Sequence, residues 1–271
     1  MPELPEVETT RRGVEPLVKG HVVKGVTIRN HSLRVPVNKS LPELLTGHKI
    51  KSVQRRAKYL YFHFDHGCLI WHLGMSGSMR VNDVAETPAS HDHIDLILDN
   101  NLCLRYRDPR RFGLVIWTTD SPGEHKLIRH LGPEPWDTSF GGDYLYRLSR
   151  GRKLAVKNFI MDGKIVVGVG NIYANESLYL AGIDPRRAAG RVSAARYESL
   201  AEKIREVLDL AITKGGTTLK DFVKTDGNPG YFRHELCVYD RAGKACTRCS
   251  SEIKQVTIGQ RSSFYCPSCQ R

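Results

Sequence analysis

The chain has 271 residues, and its 41 Lys and Arg against 29 Asp and Glu give a formal net charge of +12 at pH 7. Apolar residues make up 40% of the sequence, which suffices for ordinary hydrophobic cores and excludes a wholly disordered chain. No run reaches the ~20 apolar residues of a membrane-spanning helix, and no basic segment followed by an apolar run is present at the N-terminus. We therefore expect a cytoplasmic protein of about two domains, without a membrane partner, whose spread positive charge suits nucleic acid.

The N-terminal part is predicted to be one helix followed by many short strands. The helix covers residues 5–17, because Pro5 suits the first helical position and Glu6 and Glu8 suit the positive end of the helix dipole. Gly, Pro, Asn and Asp then divide the chain into short runs, several with alternating apolar and polar residues, which indicates an antiparallel sandwich or barrel. The predicted strands cover residues 21–28, 49–53, 59–64, 68–73, 78–81, 93–98, 101–106 and 114–118.

The C-terminal part is predicted to be helical. Residues 119–150 are rich in Pro, Gly and Asp, which predicts a connector with short helical pieces. A glycine-rich turn with Gly168 and Gly170 separates the first two helices, and the third has one apolar stripe. The predicted helices cover residues 153–161, 171–181 and 194–214.

Four of the seven cysteines have the spacing of a zinc ribbon. Two residues separate Cys246 from Cys249 and Cys266 from Cys269, and 16 residues lie between the pairs. Each short gap lets two sulfurs meet one tetrahedral ion, and a hairpin can bring the pairs together. Two disulfides are the alternative, which the missing export signal disfavours. We expect one structural zinc ion held by four thiolates. The remaining cysteines are expected to be plain buried or half-buried thiols: Cys68, Cys103 and Cys237.

The N-terminus carries a second chemical signal. A small residue such as Pro2 commonly permits removal of the initiator methionine, which would leave Pro2 with a free secondary amine. Because an α-amine has a pKa of about 7.7–8.0, a useful fraction is neutral near pH 7 and can attack an electrophilic sugar carbon. Glu3 could then deliver or accept protons. From the spacing alone, an ordinary N-terminus beside a helix stays open as the alternative.

The sequence resembles the bacterial formamidopyrimidine-DNA glycosylases over essentially its whole length. The resemblance rests on the N-terminal Met-Pro-Glu-Leu-Pro-Glu-Val-Glu, on the four-cysteine tail and on six further blocks that occur in order. Members of this family excise damaged bases and cleave the strand, and the resemblance implies the same for this chain. The six blocks cover residues 55–60, 72–77, 108–113, 167–174, 215–222 and 260–266.

The resemblance implies a set of catalytic residues at the N-terminus. Pro2 would be the nucleophile that attacks C1′ of the damaged nucleoside and forms a Schiff base. Glu3 would protonate the deoxyribose and assist opening of the sugar ring. Glu6 would help to order the site. No organic cofactor is implied, because the iminium itself draws off the electrons.

Two basic residues are matched to the strand-cleavage steps. Lys58 matches the family's proton donor in β-elimination and could also hold a phosphate; a solvated basic run with Arg55 and Arg56 is its alternative. Arg261 matches the donor in δ-elimination. Because the pKa of a guanidinium exceeds about 12, we interpret Arg261 as a phosphate clamp that stabilises the leaving group.

Chemistry on a base requires that the base leave the stack, and the resemblance supplies residues to fill the gap. Met75, Arg110 and Phe112 match the family's intercalating residues: an apolar wedge enters the unstacked step, and the guanidinium reads the unpaired cytosine. Core packing is the alternative for Met75 and Phe112, although adjacent glycines favour exposed loop tips. Further DNA contacts are expected from His91, for which a structural role stays open, and from Arg111, Arg152, Lys157 and Asn171.

Two segments of the helical part are matched to recognition elements. The turn with Gly168, Gly170 and Asn171 resembles a helix–two-turn–helix module, whose backbone N–H groups suit phosphate. Residues 217–231 resemble a lesion-recognition loop that closes over an everted purine, with a disordered connector as the alternative. The expected lesion contacts are Thr217, Thr218 and Lys220.

The expected fold is α+β: an N-terminal helix and antiparallel β-sandwich, then a helix–two-turn–helix module and a zinc ribbon. The resemblance implies a monomer that acts on double-stranded DNA, removes 8-oxoguanine opposite cytosine and formamidopyrimidines, and cleaves the strand by β,δ-elimination. The alternatives are an endonuclease VIII-like glycosylase for oxidised pyrimidines and a non-catalytic zinc-ribbon DNA-binding protein. The expected domains are a catalytic domain over 1–135, a linker over 136–150, a helical domain over 151–235 and a zinc finger over 236–271.

Overall fold

The structure is a computed structural model that describes residues 2–216 and 235–271. The described residues form two compact units. The first contains residues 2–129 and 214–216, and the second contains residues 130–213 and 235–271. Within these ranges, no helix has both the length and the apolar character needed to cross a membrane.

The first unit contains two four-stranded antiparallel sheets with a shared hydrophobic core. Leu60, Phe62 and Trp71 come from one sheet, Ile94 and Leu104 from the other, and all five are fully buried. The first sheet has the order β1 (Val23–Ile28), β6 (Asp92–Leu98), β7 (Leu102–Arg107), β5 (Ser78–Asp83), and the second has the order β2 (Ser52–Arg56), β3 (Tyr59–His63), β4 (Cys68–His72), β8 (Leu114–Thr118).

Two helices accompany the sheets of the first unit. The helix α1 (Leu4–Val18) begins after Glu3, and Pro5 lies in its first turn, where no N–H is needed. Its apolar residues, such as Val7 and Val14, are buried in the sandwich core. The short helix α2 (Leu41–Leu45) adds its two terminal leucines to the same core.

The second unit is built around one buried helix. Eight of the ten residues of α5 are buried, because α4, α6 and β10 all pack against it. The longest helix, α6, buries a stripe that includes Tyr197, Leu200 and Ile204, as its periodicity predicts. The elements are α3 (Gly142–Ser149), α4 (Val156–Met161), α5 (Asn171–Leu180), α6 (Ala194–Thr213), β9 (Lys254–Ile258) and β10 (Arg261–Tyr265).

The predicted α+β class is confirmed, with three local differences. The strand predicted over 49–53 overlaps β2 only at residues 52–53; β2 begins at Ser52 and continues to Arg56 because the polar residues 54–56 still pair with β3. The helix α2 was not expected from the sequence. The stretch 136–150, expected to be a linker, contains α3, which packs against α6 so closely that a side chain on Gly142 would meet the Glu198 backbone.

Candidate functional site

The start of α1 brings together three predicted catalytic residues. Glu3 is the N-cap residue of the helix, directly after Pro2. Glu6 Oε2 accepts the Glu3 backbone N–H at 2.7 Å, and the Glu3 carboxylate accepts the Glu6 backbone N–H in return. Pro2 is buried, and Glu3 and Glu6 are each only 2% exposed. This reciprocal capping box fixes the direction in which the chain enters the helix, and so the placement of Pro2.

Glu6 also contacts the last described residue before the predicted lesion-recognition loop. Gly216 has a φ of +83°, and a Cβ atom there would lie 3.1 Å from Glu6 Oε1. The backbone of Gly216 therefore packs directly on the capping box. The expected lesion contacts Thr217, Thr218 and Lys220, with the rest of the predicted loop 217–231, lie outside the described residues.

Lys58 lies in the two-residue turn between β2 and β3, and α1 positions this turn. Arg55 donates from Nη1 to the Ala57 carbonyl at 2.9 Å and from Nε to Glu8 Oε2 at 3.0 Å. Glu8 lies in the second turn of α1. The helix that positions Pro2 therefore also anchors the Lys58 turn, and Arg55 has a structural role rather than belonging to a solvated basic run.

The Glu8 carboxylate that anchors Arg55 stays ionised at neutral pH. Burial would raise the pKa of Glu8, but hydrogen bonds from Arg11 and Arg12 and the charge of Arg55 hold it at about 2. Glu8 is therefore a permanent carboxylate anchor for Arg55.

His72 lies on β4, paired with Tyr59 of β3, and is kept neutral at neutral pH. Burial and the nearby charges of Lys58 and Arg34 lower the pKa of His72 to about 4, against a weaker opposing effect of Asp108. Its Nδ1 accepts the Gly74 backbone N–H at 2.9 Å. Two cations beside a neutral imidazole leave local positive charge that suits a phosphate.

Two adjacent loops carry the predicted intercalating residues. Met75 lies in the loop 73–77 after β4, and Arg110 and Phe112 lie in the loop 108–113 after β7. Phe112 is 44% exposed, and the Arg110 guanidinium lies over its ring, 4.8 Å from the centroid. Met75 is half-buried. Core packing is therefore excluded for Phe112, which stands at a loop tip with a cation stacked on it.

A buried carboxylate that the sequence analysis missed joins these two loops. Asp108 is completely buried; its Oδ1 accepts the Ser76 hydroxyl at 2.7 Å, and its Oδ2 accepts the Gly113 N–H at 2.8 Å and the Tyr106 hydroxyl at 3.1 Å. The Arg110 N–H in turn donates to Ser76 Oγ at 3.2 Å. The side chains of Ser76 and Asp108 therefore join the two loops.

The Asp108 backbone places two further predicted DNA contacts. Its N–H donates to the His91 carbonyl at 3.0 Å, and its carbonyl accepts the Arg111 N–H at 3.1 Å. Both His91 and Arg111 are exposed and have positive φ angles, 72° and 56°. The structural histidine is the neighbouring His93, which is buried with Nε2 2.8 Å from the Asp108 carbonyl.

In the second unit, the residues predicted to bind phosphate lie at the start of α5. Gly170 is its N-cap residue, and Gly168 before it has a φ of +83°. The first N–H groups of a helix have no intrahelical partner and favour an anion. Asn171 opens the helix, with Nδ2 3.0 Å from the Ser262 carbonyl. Arg152 is exposed just before α4, where its Nε donates to the Leu148 carbonyl at 2.8 Å.

Lys157 does not lie where a DNA contact requires it. Its side chain is fully buried, and Nζ donates to the Ser262 carbonyl at 3.1 Å and to Ser263 Oγ at 2.5 Å. A buried ammonium that is used in this way is not open to a DNA phosphate. The structure therefore corrects this expectation: Lys157 supports β10, the strand that begins at Arg261.

Arg261 follows the tight turn of the β9–β10 hairpin. This hairpin, together with the four cysteines, forms the predicted zinc ribbon, called the ribbon below. Gly259 and Gln260 connect β9 to β10 with φ angles of 56° and 61°, as in a type I′ turn. Asn158 of α4 packs on this turn, since a Cβ atom on Gly259 would lie 2.5 Å from its Nδ2. Arg261 is exposed at the first position of β10. Two consecutive residues of α4, Lys157 and Asn158, thus hold the hairpin that presents Arg261.

The four predicted zinc ligands meet at the other end of the ribbon. The sulfurs of Cys246, Cys249, Cys266 and Cys269 lie within 4.8 Å of one another. The Cys246–Cys269 and Cys249–Cys266 sulfur distances are 3.9 and 3.4 Å, too long for disulfides and close to the edge of a zinc tetrahedron with ~2.3 Å bonds. The donors fit a structural zinc ion, and the disulfide alternative is wrong.

The three remaining cysteines are plain thiols, as predicted. Cys68 and Cys103 are buried in the first unit, and Cys237 is half-buried in the second. Burial raises the pKa of Cys68 to about 12 and that of Cys237 to about 11, so both stay protonated at neutral pH.

The first turn of α5 suits a phosphate, and the Arg110–Phe112 stack suits a base. The four cysteines suit a metal ion that stabilises the fold of the ribbon. The class that these features define is the zinc-containing DNA-binding proteins.

Comparison with known proteins narrows this class. The formamidopyrimidine-DNA glycosylase N-terminal domain matches residues 1–115, the H2TH domain of the same glycosylases matches 131–223, and a zinc finger found in FPG and IleRS matches 243–271. A formamidopyrimidine-DNA glycosylase from Alkalilimnicola ehrlichii is 58% identical over 100% of both chains.

Solved structures agree over the full length. A Lactococcus lactis Fpg mutant in complex with DNA that contains Fapy-dG superimposes with a TM-score of 0.93, at 32% identity and 100% coverage of both chains. The wild-type Lactococcus lactis protein with DNA that contains an oxidised pyrimidine gives 0.92 at the same identity and coverage. The chain belongs to the formamidopyrimidine-DNA glycosylase family.

Proposed function

We propose that this protein is a base excision repair enzyme that removes oxidised purines and then cleaves the DNA strand. The observation that carries the proposal is the buried Pro2–Glu3 pair at the capped start of α1, the same helix that anchors Lys58 through Glu8 and Arg55. A nucleophilic amine, an acid and a phosphate-holding cation are thus organised by one element. The enzyme would work in the bacterial cytoplasm, at the nucleoid, where its DNA substrate lies.

The first step is displacement of the damaged base. Once Met1 is removed, the lone pair of the Pro2 nitrogen attacks C1′ of the everted nucleotide, and the bond from C1′ to the base breaks with its electrons leaving on the base. Glu3 donates a proton to the ring oxygen O4′, which opens the sugar as the nitrogen loses its own proton and the iminium forms. Glu6 acts through the capping box, which positions Glu3.

The second step is strand cleavage. The iminium makes the C2′ hydrogen acidic; water accepts this proton, the C–H electrons form the C2′–C3′ double bond, and the 3′ phosphate leaves with the C3′–O electrons. Lys58 would hold that phosphate and act as the proton donor of the β-elimination, as the family resemblance implies. Arg261 would stabilise the 5′ phosphate that leaves in the δ-elimination.

Access to the base depends on the two loops joined by Asp108. Phe112 and Met75 would enter the stack in place of the everted nucleotide, and Arg110 would meet the edge of the unpaired cytosine, whose O2 and N3 accept hydrogen bonds. Because Arg110 stacks on Phe112, the ring that would fill the gap and the guanidinium that would contact the cytosine would enter the duplex together.

Zinc would serve the fold and not the reaction. Four thiolates fill the tetrahedral shell and leave no position for water or substrate. Cys246 Sγ lies 3.2 Å from the Tyr179 hydroxyl on α5, which connects the ligand cluster to the helix that carries Asn171 at its other end.

The alternative specificity is for oxidised pyrimidines. Its support is the Lactococcus lactis Fpg structure with DNA that contains an oxidised pyrimidine. Purine preference is favoured by the complete Met75, Arg110 and Phe112 set, because an arginine that reads cytosine presupposes a purine partner.

Borohydride trapping tests the proposal. The zinc-loaded full chain is incubated with an 8-oxoguanine:cytosine duplex and a thymine glycol duplex, and the cross-linked peptide is mapped by mass. We expect a cross-link at a peptide that begins with Pro2, mainly with 8-oxoguanine. Pro2→Gly should bind the duplex while trapping falls by on the order of 100-fold. Tight binding without any cross-link would instead indicate a non-catalytic DNA-binding protein, and stronger trapping with thymine glycol would indicate the pyrimidine enzyme.

A further inference from the structure

A cavity rich in arginines lies in the second unit, apart from the residues given roles above. Five of its six lining residues come from the segment 184–191, which follows α5 in the chain. The cavity has a volume of about 500 Å³. This volume falls within the range of small-molecule and nucleotide sites, about 300–1,000 Å³. The lining residues are Asp184, Arg186, Arg187, Ala188, Arg191 and Arg271.

The one side-chain carboxylate among the lining residues, Asp184, is already paired. Arg186 holds Asp184 with two side-chain hydrogen bonds, Nε to Oδ1 at 3.0 Å and Nη2 to Oδ2 at 2.5 Å. Its backbone N–H donates to Oδ1 as well, at 2.8 Å. In the part of the chain that the structure describes, no side-chain carboxylate lies within ion-pair distance of Arg187, Arg191 or Arg271, although the charge of Arg187 helps to lower the pKa of Asp184.

A fifth arginine adds to the positive charge. Arg196 donates from Nη2 to the Gly182 carbonyl at 2.6 Å and to the backbone oxygen of Arg271, the last residue described, at 2.8 Å. Burial and the charge of Arg187 lower the pKa of Arg196, which shows that these like charges repel. Such crowding costs free energy that a bound anion would recover.

The residues that line the cavity differ from those of the predicted phosphate site at the start of α5. Five of the six lie in the segment that follows α5 in the chain, whereas that site consists of the first residues of the helix, whose two ends lie ~15 Å apart. A backbone hydrogen bond connects this segment to a predicted DNA contact, because the Gly190 N–H, next to Arg191, donates to the Arg152 carbonyl at 2.9 Å.

We propose that this arginine cavity is a second phosphate-binding site, which takes a phosphate that neither the lesion site nor the start of α5 contacts. Guanidinium groups bind phosphate oxygens through paired hydrogen bonds, and Arg187 and Arg191 have their donors available for this. The phosphate would come from the DNA backbone beyond the lesion or from a free nucleotide.

Titration of inorganic pyrophosphate into the zinc-loaded full chain, followed by calorimetry, tests the site. We expect saturable binding that weakens at least about tenfold in Arg187→Gln/Arg191→Gln. Lys164→Gln/Lys244→Gln removes the same charge from two exposed lysines of the same unit and should change the affinity less than about twofold. Absence of saturable binding, or equal losses in both double variants, would overturn the proposal.

Long undamaged DNA distinguishes the two sources. If the backbone fills the cavity, a 30-base-pair duplex competes with pyrophosphate, and the arginine variant shows a salt slope smaller by about 0.9 for each lost phosphate contact. If pyrophosphate still binds to the duplex-saturated protein, the site is confirmed and its ligand is a free phosphate compound. Binding of an oligoglutamate peptide but not of pyrophosphate would show a protein-docking surface and refute the site.

Folding controls accompany these measurements. Zinc content and the thermal unfolding midpoint are measured for every variant. Should the double variant unfold, Arg191→Gln alone is used, because Arg191 is exposed; at least about threefold weaker pyrophosphate binding is then expected, and an unchanged affinity would count against the site. Borohydride trapping at Pro2 does not involve the cavity, so a failure here leaves the proposed function intact.

Discussion

The two units hold their functional residues by different physical means. In the first, the Asp108 loops rest on a sandwich core whose central residues, such as Phe62 and Trp71, are fully buried. In the second, the ribbon has only a small apolar cluster around Val238, Ile253 and Phe264, together with the four thiolates. Polar ties from α4 and α5 complete its support; for example, Asn175 Oδ1 accepts the Phe264 N–H at 2.7 Å.

This difference predicts which kind of perturbation should destabilise each unit. A two-sheet core buries enough apolar surface to be stable by itself, whereas a short ribbon does not and depends on its metal. Perturbations of the metal should therefore act on the ribbon, and perturbations of buried polar groups should act on the loops. Four predictions test this contrast, in order of decreasing expected effect at neutral pH.

Removal of zinc should have the largest effect. Structural zinc contributes about 10–16 kcal/mol of apparent binding free energy in zinc-finger peptides, so chelation or Cys249→Ser should unfold the ribbon and weaken DNA binding at least about 100-fold. Hydrogen exchange followed by mass spectrometry should show lost protection in β9 and β10 but intact protection in β3 and β4. Simultaneous loss in all four strands would refute the contrast between the units.

Asp108→Asn should disturb the loops without unfolding the sandwich. An amide cannot accept at both former oxygen positions, so at least one of the Ser76, Tyr106 and Gly113 donors loses its partner. Because a buried unsatisfied group costs about 1–3 kcal/mol, we expect base eversion to slow by about 10- to 100-fold.

Fluorescence of 2-aminopurine next to the lesion measures eversion for this variant. Asp83→Asn, at an exposed position of the same unit, is the control. A lowered unfolding midpoint with unchanged eversion would show that Asp108 only stabilises the fold and does not position the loops.

Phe112→Ala should slow eversion by about tenfold, since stacking of a base on an aromatic ring contributes about 1–3 kcal/mol. The ring is 44% exposed, so its removal should leave zinc content and the unfolding midpoint unchanged. Val84→Ala removes another exposed apolar side chain of the same unit and should leave eversion unaffected. Equal eversion rates in both variants would exclude Phe112 as the wedge.

His72 should have the smallest effect at neutral pH, because its contribution changes only in acid. Its pKa is lowered to about 4 in the folded protein, by burial and by Lys58 and Arg34, while the unfolded pKa is about 6.5. Neutral His72 therefore stabilises the fold fully above pH 6.5, and this contribution, at most about 3 kcal/mol, is lost as the pH falls toward 4.

His72→Asn isolates that contribution. The amide oxygen can still accept the Gly74 N–H but takes up no proton. Thermal unfolding at pH 7 and pH 4.5 should show a smaller acid-induced loss for the variant than for the parent chain. An equal loss would mean that other groups, such as Glu8, account for the whole pH dependence.

The local features of the chain were predictable because their signals lie close together in sequence. The apolar stripe of α6, Pro5 at the start of α1 and the paired cysteines each depend on spacings of a few residues. The candidate site was also largely predictable, since Pro2, Glu3 and the loop-tip position of Phe112 follow from the motifs. The bounds of α3 were not predicted beyond short helical pieces within 119–150, because the face that α3 buries is defined only once it packs on α6.

The sequence by itself determined the fold class, the zinc ligands and the family, because short-range spacing and ordered motifs carry that information. Only the tertiary structure decided that Lys157 is a buried support for β10 and that Asp108 joins two loops. Lys157 meets Ser263 across 106 residues and Asp108 meets Ser76 across 32. No local pattern specifies such partners, because burial and hydrogen bonding at these positions arise only when distant elements pack together.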